Sequence, residues 1–358
     1  MSRLSCQSLL VALALCAPVA ASETGDAFVR NFAAGTLAEG KDQAVELCGD
    51  GDTEACFVAG MTELVGGVET ASRAFYRHGA VAPTQTPLGL LLGLSDGSVP
   101  TPRNPNPEKL TYEQLRGTMD AFVASMDRAR DHFAAAGESG DYVLLVDPLA
   151  ALIDLDGDGK ARPDETLGSL LGAADEFAYL YEEDEATRKR LSKGVKADTH
   201  VGFDRADAFW FAGYTQVAAA PVDFLLAHDF TGFYNVALHR VFPKAGLPMG
   251  DFAQGNGHIL EDPESDRSIA DMVAGLHMAR FPVSEPERLA GVLDRLKAIT
   301  AFSRQNWEAI RSETDDNREL VPGPVQTSIM PDMDVTEETG AAWLTTLDTV
   351  DKILAGDL

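Results

Sequence analysis

The sequence is poor in basic residues. It contains 29 Lys and Arg residues against 56 Asp and Glu residues, which gives a formal net charge of −27 at pH 7. Binding to nucleic acid or to an anionic membrane surface needs clustered Lys and Arg side chains, and a surface this acidic repels polyanions. The composition therefore excludes a general nucleic-acid-binding protein.

Long apolar runs are also lacking. After the N-terminal segment, no stretch approaches the ~18 consecutive apolar residues that a membrane-spanning helix requires. Hydrophobic residues nevertheless make up 45% of the chain and aromatic residues 8%, which is enough for a packed core. The sequence thus predicts a folded protein with no stable membrane insertion.

The first 21 residues have the order of regions that is typical of a secretory signal peptide. A basic Arg3 precedes an apolar run at 9–15, and small residues follow up to Ala21. We predict cleavage after Ala21 and a periplasmic or secreted mature chain. Lipid attachment at Cys16 is an alternative, but the bulky Leu15 before it disfavours that reading.

Cysteine is scarce. Two of the four cysteines, Cys6 and Cys16, fall in the predicted signal peptide, so the mature chain keeps Cys48 and Cys56. An even pair of cysteines in an exported chain predicts a disulfide. Two buried free thiols are the alternative.

The residues around that pair, 42–80, read as two helices separated by a Gly-Asp turn. They resemble one unit of the SEL-type, tetratricopeptide-related repeats, in the secreted cysteine-rich version where two cysteines with seven residues between them tie the unit. Such units normally stack in several copies. Because this chain has one copy, we expect the unit to pack on the rest of the protein. A scaffold that binds a protein partner is the alternative role.

The helical unit at 22–82 is followed by a proline-rich connector at 83–108 and a helical domain at 109–358. Thr111 and Gln114 form a capping-box pattern, and apolar residues recur at spacings of three and four up to Phe133. This pattern predicts a core helix that ends at Gly137. A last helix is predicted from about Glu337 to Ala355.

Residues 154–165 read DLDGDGKARPDE and resemble the twelve-residue calcium loop of an EF-hand. Alternate residues of a tight loop point inward, so aspartates at steps of two can converge on one hard cation, Ca²⁺. Without a cation, these carboxylates would repel one another. The resemblance implies side-chain ligands at Asp154, Asp156 and Asp158, a backbone carbonyl ligand at Lys160, a bidentate Glu165 and a sharp turn at Gly159.

Two residues depart from that pattern. Arg162 stands where a water-holding Asp, Ser or Thr is usual, and Ala161 replaces the branched apolar residue that pairs one hand with another. We therefore expect a solitary hand with weak affinity, on the order of 10⁻⁴ M, as in extracellular modules. Pro163 predicts that the exiting helix begins there, so that Glu165 lies in its first turn. Calcium is expected to be mainly structural rather than regulatory.

No motif in the chain names a reaction. The seven histidines are scattered without zinc-ligand spacing, and no nucleophile-elbow, phosphate-loop or dinucleotide pattern occurs. On a helix predicted from Asp204, the residues Asp207, Tyr214 and His228 share one face, and we read them as core polar groups rather than an active site. The enzymatic alternative is a periplasmic hydrolase of cell-wall or carbohydrate substrates that uses paired carboxylates such as Glu138 or Asp207.

These patterns together predict an all-α exported protein. A disulfide-tied helix hairpin near the N-terminus packs on a multi-helix body, in which a solitary EF-hand lies between two core helices. The predicted function is calcium binding, without an assigned reaction or partner.

Overall fold

The computed structural model describes residues 22–81, 103–168, 199–250, 263–314, 316–329 and 335–358. Within these residues the chain forms nine α-helices and two strands of three residues each, so the predicted all-α class is confirmed. The predicted signal peptide and most of the predicted connector lie outside the described residues. The elements are α1 (Glu23–Ala34), α2 (Lys41–Gly49), α3 (Thr53–Arg77), α4 (Tyr112–Gly137), β1 (Leu144–Val146), β2 (Val201–Phe203), α5 (Arg205–Leu226), α6 (Thr231–Ala237), α7 (Pro263–Met278), α8 (Pro286–Ser312) and α9 (Glu337–Ala355).

The N-terminal hairpin consists of α2 and α3. Asp52 caps α3 by accepting a hydrogen bond of 3.0 Å from the backbone N–H of Ala55. Cys48, in the last turn of α2, and Cys56, near the start of α3, have their sulfur atoms at bonding distance. The predicted disulfide is therefore confirmed, and it ties the two helices at their connecting turn.

Helix α3 packs along α4. It runs without interruption through Gly66 and Gly67, and a Cβ atom at Gly60 would lie only 2.7 Å from the ring of Phe133 on α4. Glycine at position 60 thus lets the two helices approach closely. Helix α3 of the repeat-like unit therefore buries this face against α4, so the unit packs on the rest of the protein as expected.

Aromatic side chains fill the main core between these helices and α5. The ring of Phe57 contacts Phe133, Phe203 and Phe211, and the rings of Phe133 and Phe211 stack at 5.2 Å. Phe203 comes from β2, which pairs antiparallel with β1. Each fully buried ring contributes about 1.5–3 kcal/mol through loss of apolar surface from water.

The polar residues predicted to lie in the core along one face of α5 do not all do so. Asp207 is buried at the start of the helix, whereas the side chain of Tyr214 is 52% exposed and stacks on Trp210. The helix ends at Leu226, before His228, whose ring nitrogen Nδ1 lies 2.6 Å from the carbonyl oxygen of Phe224. The prediction of a core polar face was therefore wrong at Tyr214, and it placed His228 on α5 by extending the helical period past the end of the helix.

None of the described helices combines the length and the apolar character that crossing a bilayer requires.

Candidate metal centre

The loop at 154–165 is closed at its base by a short antiparallel pairing. Leu152 and Thr166 form a bridge, and the backbone N–H of Ile153 donates to the carbonyl of Glu165 at 2.9 Å. The side chains of Ile153 and Leu155 are buried in the main core. The first and last ligand positions of the loop are therefore held side by side and anchored to the hydrophobic interior.

The elements that flank the loop differ from those expected. The chain enters from β1 and a 3₁₀ turn at Pro148–Ala150 rather than from a helix, because α4 already ends at Gly137. The prediction that the exiting helix begins at Pro163 is wrong. Helical backbone starts only at Leu167, since the backbone of Glu165 is engaged in the pairing with Ile153. Residues 169–198, where the sequence predicts the rest of that helix, lie outside the described residues.

Three of the predicted ligands converge. Asp154, Asp156 and Glu165 each place one carboxylate oxygen within 4.8 Å of the others, and Asp154 and Glu165 are buried. Calcium binds oxygen at about 2.3–2.6 Å, so oxygens on opposite sides of one ion lie up to about 5 Å apart. The spacing of these three oxygens is therefore compatible with a single metal ion.

Backbone N–H groups of the loop donate hydrogen bonds to all three aspartates. Gly159, which has the left-handed φ of 85° that its predicted turn requires, donates to Asp154 Oδ2 at 2.9 Å. Such bonds hold the aspartate side chains against the backbone of the loop. The other donors are Gly157 to Asp154 Oδ1 at 2.7 Å, Asp158 to Asp156 Oδ1 at 3.1 Å, and Lys160 to Asp158 Oδ1 at 2.8 Å.

Asp158 does not join the converging group. Its Oδ2 atom lies 3.1 Å from Nη1 of Arg162, and its side chain is about half exposed. Lys160, the predicted carbonyl ligand, contributes its backbone N–H to Asp158. The structure therefore brings Asp154, Asp156 and Glu165 together and leaves Asp158 outside the group.

Arg162 supplies a positive charge to the carboxylates. Its Nη2 atom lies 2.8 Å from Asp156 Oδ2 and 2.9 Å from Glu165 Oε1, and its backbone N–H donates to Glu165 Oε2 at 3.0 Å. The sequence-based argument that these carboxylates require a cation did not consider the side chain of Arg162 as one. The signal was present, since Arg162 lies three residues before Glu165 and four after Asp158.

The electrostatics of the two carboxyls differ. Burial disfavours the charged form of Asp156, but the hydrogen bond and charge of Arg162, together with hydrogen bonds from Asp158 and Asp154, outweigh it and lower the pKa of that carboxyl. Burial raises the pKa of Glu165, and the negative charges of Asp156 and Asp154 add to this effect beyond what Arg162 offsets. A divalent cation at this position would favour the ionised form of Glu165.

A second arginine reaches the loop from α3. Nη2 of Arg73 lies 2.9 Å from Asp154 Oδ2, and its Nε–H donates to the carbonyl oxygen of Asp154 at 3.0 Å. Arg73 also pairs with Glu69 one turn earlier in α3. Sequence reasoning could not find this contact, because no local pattern links residues so far apart in the chain.

The C-terminal end of α1 packs against Ala161, one of the two residues that depart from the EF-hand pattern. Gly35, the C-cap of α1, has a left-handed φ of 72°, and a Cβ atom there would lie 2.6 Å from the Cβ of Ala161. The backbone N–H of Leu152 also donates to the carbonyl of Phe32 at 3.4 Å. A small residue at 161 thus lets α1 pack on the loop.

A second acidic group lies at the start of α5. Asp204, Asp207 and Glu319 are all buried, and one carboxylate oxygen from each lies within 4.8 Å of the others. Asp204 and Asp207 form a capping box, with Asp204 N–H donating to Asp207 Oδ2 at 3.0 Å. Burial first, and then the charge of Asp204, raise the pKa of Asp207 well above its usual range. The start of this helix at Asp204 was predicted from the sequence, whereas Glu319 was missed.

The hydrolase alternative named Glu138 and Asp207 as examples of acidic residues. Glu138 is exposed at the end of α4, and Asp207 is buried in the capping box of α5. Glu138 and Asp207 therefore do not form a pair of carboxylates that both face solvent.

Comparisons of the chain with protein-family models, with curated proteins and with solved structures found no match.

Proposed function

We propose that residues 154–165 bind Ca²⁺ in an exported helical protein and that the ion is mainly structural. The observation that carries this proposal is the convergence of Asp154, Asp156 and Glu165 in a loop whose two ends are paired. All three donors are hard carboxylate oxygens, the ligand type that calcium prefers. The further oxygens that the ion requires would come from Asp158, the Lys160 carbonyl and water.

The surroundings of the loop support a structural role. The loop contacts the C-terminal end of α1 through Gly35 and contacts α3 through Arg73, while Leu155 is buried in the main core. An ion that fixes the loop would therefore stabilise the packing of the N-terminal helices on the body. The signal-peptide pattern and the disulfide support export, because disulfides persist in oxidising compartments.

Neither alternative function gains support from the described residues. The scaffold reading requires an exposed apolar face on the repeat-like unit, but α4 covers α3 at Gly60 and Gly67. The hydrolase reading requires an accessible pair of carboxylates, and Asp207 is buried. We therefore propose calcium binding alone.

Thermal denaturation in the presence of a chelator, of magnesium or of calcium tests the proposal. At free calcium about a hundredfold above Kd, binding to the folded state adds about 2.7 kcal/mol of stability, which raises Tm by several degrees. Magnesium should raise Tm less, because it requires a near-octahedral shell and dehydrates reluctantly. An unchanged Tm at millimolar calcium would contradict the proposal.

Glu165→Gln tests the assignment of the site. The variant should lose most of the calcium-dependent rise in Tm, because calcium loses its bidentate ligand. Its calcium-free stability should stay within about 1 kcal/mol of the wild type, since the amide oxygen still accepts the N–H of Arg162. The matched control is Glu308→Gln on the exposed side of α8, which should keep the full calcium response.

A further inference from the structure

We infer that the guanidinium of Arg162 and Ca²⁺ compete for the same carboxylates, so that calcium enters the loop by displacing the Arg162 side chain. This inference rests on the proposed calcium binding and adds a residue that sets the affinity of the site.

The contacts of Arg162 are those that a cation in the loop would make. A single nitrogen, Nη2, lies 2.8 Å from Asp156 Oδ2 and 2.9 Å from Glu165 Oε1, two of the three carboxylates that converge. Calcium would need those oxygens at about 2.3–2.6 Å. The two cations would then lie only a few ångströms apart and repel each other. Occupation by one therefore excludes the other.

Arg162 has a route out of the loop. Its side chain is 37% exposed, and its Nε atom lies 3.9 Å from Asp164 Oδ1, whose side chain is 84% exposed. Rotation towards solvent would free Asp156 and Glu165 and leave the guanidinium beside another carboxylate. The displacement needs no movement of the loop backbone, which is held by the bridge between Leu152 and Thr166.

The exchange has two consequences. Without calcium, Arg162 offsets the repulsion among the carboxylates, so the loop keeps its conformation. With calcium, the ion must first break the contacts of Arg162 with Asp156, Asp158 and Glu165, which weakens the observed affinity. Arg162 therefore keeps the loop folded when calcium is low, and it also lowers the affinity of the loop for calcium.

Calcium titration of Arg162→Ser by isothermal calorimetry tests the inference. Serine removes the competing cation and offers a hydroxyl, so calcium should bind roughly tenfold more tightly than in the wild type. The matched control is Arg130→Ser on α4. Arg130 is 31% exposed and also pairs with two aspartates, Asp127 and Asp131, away from the loop. Its removal should leave the calcium affinity unchanged.

Chemical modification of the wild-type protein provides a second test that does not depend on the folding of a variant. Phenylglyoxal modifies accessible guanidinium groups, and peptide mass mapping reports each arginine separately. Saturating calcium should increase the modification of Arg162 several-fold and leave that of Arg130 unchanged.

The outcomes separate the two proposals. Calcium binding with equal affinity in the wild type and Arg162→Ser, or an Arg162 reactivity that calcium does not raise, would overturn the exchange and leave calcium binding intact. Absence of binding in both proteins would overturn the proposed function. Binding in Arg162→Ser alone would support the competition and contradict calcium binding by the wild type.

Discussion

Glu63→Gln should destabilise the protein at neutral pH and lose that effect in acid. Glu63 lies on α3 with its side chain almost fully buried. Lys41 of α2 lies 2.7 Å from its Oε1 atom, and Arg128 of α4 lies 2.9 Å from its Oε2 atom. One buried carboxylate therefore joins three helices, and its charge is the property that the substitution removes.

The magnitude follows from the pKa of Glu63. Burial disfavours the carboxylate, but hydrogen bonds from Arg128 and Lys41 outweigh burial and lower the pKa from 4.5 to about 2. By linkage, this difference corresponds to roughly 3 kcal/mol at neutral pH. Lys41 and Arg128 are 37% and 52% exposed, so solvent screens both ion pairs. We therefore expect Glu63→Gln to reduce the free energy of unfolding by about 1–2 kcal/mol.

The sign of the pH dependence is fixed by the direction of that shift. A carboxyl with a lowered folded-state pKa contributes its full stability above the unfolded-state pKa of 4.5 and loses it as the pH falls towards about 2. The difference in unfolding free energy between the wild type and Glu63→Gln should therefore shrink across this range.

Urea denaturation followed by circular dichroism, at neutral pH and at a pH of about 3.5, measures that difference. Calcium is kept constant, and Glu308→Gln on exposed α8 serves as the control with no expected effect. An equal loss at both pH values would mean that Glu63 acts through packing. No loss at neutral pH would refute the role of the ion pairs.

Three further predictions concern other parts of the chain. Alkylation of the unreduced, denatured protein should label neither Cys48 nor Cys56, and reduction of their bond should cost roughly 2–3 kcal/mol; two labelled thiols would contradict the disulfide. Intact mass of the exported protein should place its N-terminus at Ser22 or within about two residues, and retention of the first 21 residues would contradict the signal peptide. Burial lowers the pKa of His239 below 6.5, so the unfolding free energy should fall as the pH drops through 6.5, because the unfolded state binds the proton more readily. His239→Gln should reduce this fall in urea titrations, and an unchanged fall would assign it to other groups.

The features that sequence predicted well depend on residues close together in the chain. The capping box of Thr111 and Gln114 starts α4 as expected, and the last helix spans Glu337–Ala355 as expected. These helix limits follow from side chains that meet backbone groups within one turn. The disulfide was likewise predictable, since its two cysteines flank a single turn.

The features that sequence missed depend on tertiary contacts. Nothing local indicates that Arg73 reaches Asp154 or that Gly35 packs on Ala161. The preference of Pro163 for a helix start was overridden, because the following residues pair with the strand-like segment before the loop. Local propensity is a weak signal when backbone pairing across a loop competes with it.

The pairing of β1 with β2 has a consequence for how this protein can change over evolutionary time. Leu144 lies opposite Phe203 and Val146 lies opposite Val201, so the two ends of the segment between β1 and β2 are held side by side. The entropic cost of closing such an excursion rises only slowly with its length. Insertions and deletions between the two strands therefore reduce the stability of the fold little at positions that make no tertiary contacts. The loop at 154–165 is docked on α1 and α3, so it should keep its length in descendants of this protein.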